Sequence, residues 1–206
     1  TRIADDEPAY CIAEIGGNHQ GSVGTAKLLI DHAAEAGFSA CKFQKRDNRT
    51  FLTPEQYAAP YDNENSFGAT YGEHREALEL GWDAYVELRD YAHRQGLAFG
   101  ATAFDVPSLQ FLGRLKVDFV KIASGTICNH DMFARLWNLP TIISTGAAQL
   151  NEVRAAHKAL RPPHAILQCT SLYPCPAERL NLLVVNLYRE QFPNTVIGFS
   201  DHEDGI

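Results

Sequence analysis

Short runs rich in apolar and β-branched residues alternate with longer segments of helical period from one end of this 206-residue chain to the other. Seven such runs read as strands, at residues 10–15, 40–44, 98–102, 119–123, 141–144, 165–168 and 196–199. The segments between them read as helices. In TAKLLIDHAAEAG, Leu28, Leu29, His32, Ala33 and Ala36 share one predicted stripe and Gly37 supplies the stop. WDAYVELRDYAHRQG, PSLQFLGRL, LNEVRAAHKAL and LNLLVVNLYREQF follow the same pattern. Parallel neighbours need a crossover between them, so strict βα alternation predicts a parallel sheet covered by helices.

Two parallel architectures compete, the doubly wound sheet and the eightfold barrel, and the loops decide between them. A doubly wound nucleotide binder carries a glycine fingerprint after its first strand. Here polar residues follow nearly every strand: Glu14 and Asn18, Lys42 and Gln44, Thr102 and Asp105, Lys121 and Ser124, Ser144 and Thr145, Ser171, then Ser200 and His202. A ring of strand ends, each donating one or two polar groups, is how a TIM (β/α)8 barrel builds a site, and that α/β fold is the expectation. Residues 1–206 then form one barrel domain, incomplete at its C-terminal end. Seven βα units are visible, and a barrel must close to remove its edges, so the natural protein is expected to continue beyond Ile206. The stretch from Lys45 to Trp82 is too long and too aromatic for a simple connection; it reads as a lid or substrate wall, or else as a surface excursion. Two connections, ARLWNLPTIIS and ALRPPHAIL, are unusually short.

Composition narrows the partners. Eighteen Lys and Arg against twenty-five Asp and Glu give a net charge of −7, which argues against a nucleic-acid footprint. No apolar run is long enough to span a membrane, and the opening TRIADDEPAY lacks the basic start and apolar stretch of a secretory signal. The five cysteines are odd in number, and Cys169 and Cys175 are too widely spaced for a zinc-type pair. The expectation is a cytoplasmic protein with no membrane partner.

Lys42 in ACKFQ and Lys121 in FVKIASG sit in runs that otherwise read as buried strand. Burying an ammonium is costly, so such a lysine either shifts its pKa, pairs within the core, or faces an anion. Two on different strands, with the hydroxyls of Thr102, Ser124, Ser144 and Ser200 at matching strand ends, point to an anionic ligand; each serine alone could equally be a turn former. Glu14 and His202, from the first and seventh strand ends, are a carboxylate and an imidazole suited to general acid–base work, and His202 could also hold a divalent metal. His19 competes for that role. One histidine does not make a metal site, so the other ligands would be substrate oxygens, water and a residue outside the sequence.

The series AEIGGNHQGS, KFQ, TYGEHREALEL, KIASG, STG, QCTSLYPCP and IGFSDHEDGI resembles the N-acetylneuraminate (sialic acid) synthase family over residues 11–206. The resemblance implies a (β/α)8 barrel that condenses phosphoenolpyruvate with N-acetylmannosamine or a related 2-acetamido sugar, with or without a 6-phosphate, to a nonulosonic acid and phosphate. It further implies a divalent metal, Mn²⁺ or Mg²⁺, a small C-terminal antifreeze-like domain, and a homodimer. By position it puts Lys42, Thr102, Lys121, Ser124, Ser144, Ser171 and Ser200 on phosphoenolpyruvate, His202 on the metal, Glu14 at the acid–base position, and Tyr173 and Asn63 beside the amino sugar. Departures from many bacterial members are Gln168 before CTS, Thr126 after KIASG, Ser171 in place of Asn, and the absence of an ERH motif carrying the second metal histidine. They leave open the sugar, a neighbouring phosphoenolpyruvate-dependent 3-deoxy-sugar-acid synthase, and a non-catalytic sugar-acid-binding barrel.

Overall fold

The computed structural model describes residues 3–4, 7–136, 138–161 and 164–203. The fold divides into two compact units, Tyr10–Asp118 and the remainder, Thr1–Ala9 with Phe119–Ile206. All seven predicted strands are present, each shifted by two residues or fewer at its ends: β1 Ile12–Gly16, β2 Ala40–Lys45, β3 Ala98–Ala103, β4 Phe119–Ile122, β5 Thr141–Ser144, β6 His164–Cys169 and β7 Val196–Ser200. Among the described residues, every pairing between these strands is parallel and joins strands consecutive in the chain.

In Tyr10–Asp118, β1, β2 and β3 pair with Glu14 opposite Lys42 and Gln44 opposite Thr102, and the β1 register shifts between Glu14 and Gly16. Helices α1 (Val23–Glu35) and α5 (Trp82–Arg94) pack together, joined by a Lys27–Glu87 ion pair and by the Tyr91 hydroxyl donating to Asp31. The predicted α1 stripe is corrected. Ala26, Ile30 and Ala33 face the core, whereas Leu28, His32 and Ala36 are exposed. The small Ala26 and Ala33, on either side of the fully buried Ile30, let the helix backbone approach its neighbours, and that closeness outweighs covering Leu28. Gly37 does end the helix, at φ +78°. The core beneath the ladder is aromatic: Phe43, Phe99 and Tyr85 are almost fully buried, and the Tyr85 hydroxyl donates to the Gln44 carbonyl at 2.7 Å. Burial of each such side chain is worth about 1.5–3 kcal/mol.

The long segment after β2 is not an unstructured excursion. It forms α2 (Asn48–Phe51), α3 (Pro54–Ala58) and α4 (Tyr71–Ala77), with an isolated bridge between Pro60 and Thr70. Thr53 with Gln56 and Thr70 with Glu73 make reciprocal capping boxes, the local signal that starts these short helices. Helix α6 (Val106–Leu115) follows β3, N-capped by the Asp105 carboxylate.

In the second unit, β4 to β7 are joined by α7 (His130–Phe133), α8 (Leu150–Ala159) and α9 (Val184–Gln191). The two short connections include Trp137, Pro162 and Pro163, which lie outside the described residues. Lys121 on β4 reaches Ser200 on β7 with a 3.1 Å hydrogen bond. In a flat ladder those strands would stand about 14 Å apart, farther than these two side chains and one hydrogen bond can span. This ladder is therefore strongly curved toward the face that carries Lys121, as a parallel barrel requires.

Candidate functional site

In Tyr10–Asp118, the register that sets Glu14 beside Lys42 brings their charged ends into an ion pair. Lys42 is 6% exposed and its ammonium also donates to Thr102 Oγ1 at 3.0 Å. Gln44, two residues along β2 on the same face, donates to Glu14 Oε1 at 3.1 Å and accepts from Arg46 Nη2 at 2.7 Å. Three predicted residues, Glu14, Lys42 and Thr102, thus meet. Gln44, one of the strand-end polar residues picked out in the sequence, and Arg46, just past the end of β2, join them.

His19 drops out as a competing site residue. It is 2% exposed, its Nδ1 accepts from the Gly21 amide at 3.1 Å, and its ring lies 5.7 Å from Phe43. Burial lowers its pKa, so the imidazole is held neutral as a loop brace. Asn63 is exposed, and its side-chain carbonyl accepts from the Asn65 amide at 2.9 Å, closing a local turn. Nothing in its own unit joins it to the Glu14–Lys42–Thr102 group.

In the second unit, Lys121 is 8% exposed, and among the described residues no carboxylate pairs with it. Its protein contact is the Ser200 hydroxyl. Ser124 Oγ accepts from the Gly146 amide at 3.0 Å, and Ser171 Oγ also lies against Gly146, where a side chain would collide with both hydroxyls. The glycine of the STG motif is thus the condition for bringing Ser124 and Ser171 together. Ser144, at the end of β5, buries its hydroxyl with no hydrogen-bond partner among the described residues.

Burial holds the Lys121 ammonium below its ordinary pKa of 10.5. The charged form is disfavoured in the folded protein, so stability rises with pH from the lowered folded value up to 10.5. An anion bound at Lys121 reverses the cause and restores the charge. Anion binding in that alkaline window should therefore take up protons, measured as a dependence of the calorimetric binding enthalpy on the buffer's ionisation enthalpy; no buffer dependence would place the anion elsewhere.

His202 follows β7. Its Nδ1 lies 3.1 Å from the Thr170 carbonyl and 3.5 Å from Cys169 Sγ. A carbonyl can only accept, so Nδ1 carries a proton, and Nε2 is the nitrogen that has the lone pair in the neutral form of the ring. The Tyr173 ring packs on the imidazole at 4.1 Å between centroids, and the His202 carbonyl accepts from the Cys175 amide at 2.7 Å. A carbonyl contact of this kind orients the imidazole whether or not a metal is bound. One nitrogen donor is all that it offers: among the described residues no three His, Cys, Asp or Glu side chains gather into a metal site. Gln168 and Thr126 play local parts, the first donating to the Leu180 carbonyl at 3.2 Å and the second to the Ala123 carbonyl at 3.1 Å.

All five cysteines are free. Burial pushes the Cys41 thiol up to about 12, so it packs rather than reacts. No helix among the described residues is long and apolar enough to cross a membrane.

A family model described as the NeuB family matches residues 29–206. The chain belongs to the NeuB family. N-acetylneuraminate-9-phosphate synthase of Mus musculus is 37% identical over 99% of the chain, and N,N'-diacetyllegionaminic acid synthase of Legionella pneumophila 35% identical over 96%. The chain covers 58% of the length of each of these relatives. The crystal structure of N-acetylneuraminic acid synthetase from Leptospira borgpetersenii, in complex with citrate, aligns with a TM-score of 0.82 at 30% identity, covering 97% of this chain and 67% of that one. The NeuB-family chain has the fold of the TIM-barrel synthases, as its alternation and its polar strand ends together predicted.

Proposed function

We propose that the intact protein condenses phosphoenolpyruvate with N-acetylmannosamine or a related 2-acetamido sugar, releasing phosphate and a sialic-acid-type nonulosonic acid. The observation that carries this reading is Lys121, a buried ammonium without a carboxylate partner among the described residues, hydrogen-bonded to a strand-end hydroxyl. A desolvated cation of this kind suits a phosphate or carboxylate of a small trianion, held in an otherwise acidic chain. Family membership supplies the chemistry that such an anion would enter.

Lys121, Ser124, Ser144, Ser171 and Ser200 in one unit, and Lys42 with Thr102 in the other, are the proposed phosphoenolpyruvate ligands. Their charges and hydroxyl protons hold the phosphate and carboxylate and leave C3 of the enol free to form a bond to the open-chain aldehyde carbon of the sugar. The aldehyde oxygen takes up a proton. Glu14, whose carboxylate is oriented by Lys42 and Gln44, is the proposed acid–base group for that proton and for the water that adds at C2. Phosphate then leaves by cleavage of the C2–oxygen bond. Tyr173 borders the sugar in this reading. Asn63, whose side chain closes its own turn, has the weakest support.

A divalent cation, Mn²⁺ or Mg²⁺, belongs to the proposal with Nε2 of His202 as one ligand, and it would supply polarisation of the sugar aldehyde when bound. Relatives named for a 9-phosphate product and for diacetyllegionaminic acid leave the acceptor sugar to be determined. A cytoplasmic homodimer acting on small molecules, with no nucleic-acid or membrane partner, completes the reading.

Phosphoenolpyruvate labelled with ¹⁸O at the bridging oxygen tests the bond cleavage. Label in the released phosphate, with a nonulosonic acid formed alongside, is the expected result. Label retained in pyruvate would mean phosphoryl-transfer chemistry and would sink the reading.

A further inference from the structure

The N-terminal ends of β6 and β7 border a cavity of about 570 Å³, a volume within the range of small-molecule sites. His157 and Lys158 from the last turn of α8, His164 from the start of β6, and Asn194 and Thr195 from the turn before β7 supply its polar wall. Both strands run away from it toward the candidate site. β6 ends at Cys169 beside His202, and β7 ends at Ser200 beside Lys121, about 16 Å of strand from the cavity.

The charge around this cavity has one sign. Asp and Glu outnumber Lys and Arg by 25 to 18 over the chain, yet residues 153–177 and 191–200 contain no carboxylate side chain. Arg154, His157, Lys158, Arg161 and His164 all fall in the first of those stretches, and among the described residues none of them has an ion-pair partner. Arg154 bonds instead to the neutral side chain of Gln191. Of the bordering acids, Glu152 accepts from the Gln149 amide at 2.7 Å at the other end of α8. Glu190, beside Arg189, is exposed on α9 and is not part of the cavity wall. A helix C-terminus favours a cation in its own last turn, but that does not account for His164 on a neighbouring strand.

The two histidines are joined. His164 Nε2 and His157 Nδ1 lie 2.9 Å apart, so one donates and the other accepts, and Phe192 packs on the His157 ring at 4.9 Å between centroids. A further proton on the pair adds an N–H that only an outside acceptor can satisfy. Burial and the neighbouring His157 hold His164 below its ordinary value of 6.5, with the Arg161 backbone partly opposing them. The wall therefore gains charge when an anion is there to stabilise it.

We propose that this cavity binds a small phosphomonoester, its phosphate held by His157, His164 and Lys158 and the rest of the molecule lying against Asn194, Thr195 and Val196. The proposal stands apart from the synthase reading, because no residue of the candidate site lines the cavity.

The test is calorimetric titration of full-length Lys121→Ala protein, which lacks the cation of the other proposed anion site, with glycerol 3-phosphate and with inorganic phosphate, above and below the ordinary histidine value. A phosphate itself loses charge toward acid, its second pKa being about 6, so affinity that rises as pH falls has to come from the protein. Glycerol 3-phosphate should bind about tenfold more tightly on the acid side. His157→Gln and His164→Gln should remove that gain, while Lys158→Gln, at an exposed position, should weaken binding about tenfold at both pH values and leave the gain in place. Melting temperatures check that each variant folds. No binding, affinity that falls toward acid, or unchanged affinity in all three variants would overturn the site. Equal affinity for inorganic phosphate and glycerol 3-phosphate would overturn the phosphomonoester as its ligand.

Discussion

Lys121→Ala raises the Michaelis constant for phosphoenolpyruvate by about ten- to a hundred-and-fiftyfold while changing that for the sugar little, because a desolvated charge-assisted contact is worth about 1.5–3 kcal/mol. The structure adds a second expectation that separates binding from folding. Lys121 is buried beside Ser200 with burial working against its charge, so the unliganded variant should melt no lower than wild type. A steady-state comparison of both substrates with a thermal melt checks both statements. Equal effects on the two Michaelis constants, together with a fallen melting temperature, would make Lys121 a fold-supporting residue.

His202→Ala should abolish turnover and leave the unfolding free energy of the metal-free protein within about 1 kcal/mol of wild type. The small stability cost follows from what the side chain contacts. It gives up one hydrogen bond to the Thr170 carbonyl, a 3.5 Å contact with Cys169 Sγ and a ring contact with the exposed Tyr173, while the backbone carbonyl that receives the Cys175 amide is untouched. The loss should coincide with weaker Mn²⁺ binding measured directly by calorimetry. Activity retained with unchanged metal dependence would remove His202 from the reaction.

The strands were legible because buried parallel strands demand apolar and β-branched runs with turn residues at their ends. Lys42, Lys121, Thr102 and Ser144 were legible for the same reason turned round: a polar group in such a run has no cheap place in a core. Helix α1 was misread because Leu28 outranks Ala26 in hydropathy, whereas close packing selected the smaller residue. The short helices after β2 depend on single caps at Thr53 and Thr70, a signal too local for periodicity to catch. His19 could be separated from His202 only by geometry, since one imidazole braces a buried loop and the other keeps a nitrogen open.

The most direct measurement is turnover by the full-length protein given phosphoenolpyruvate, Mn²⁺ and a panel of 2-acetamido sugars with and without a 6-phosphate. The account predicts release of one phosphate per nonulosonic acid formed, dependent on the sugar. No release with any sugar of the panel, from folded protein that binds phosphoenolpyruvate, would contradict it.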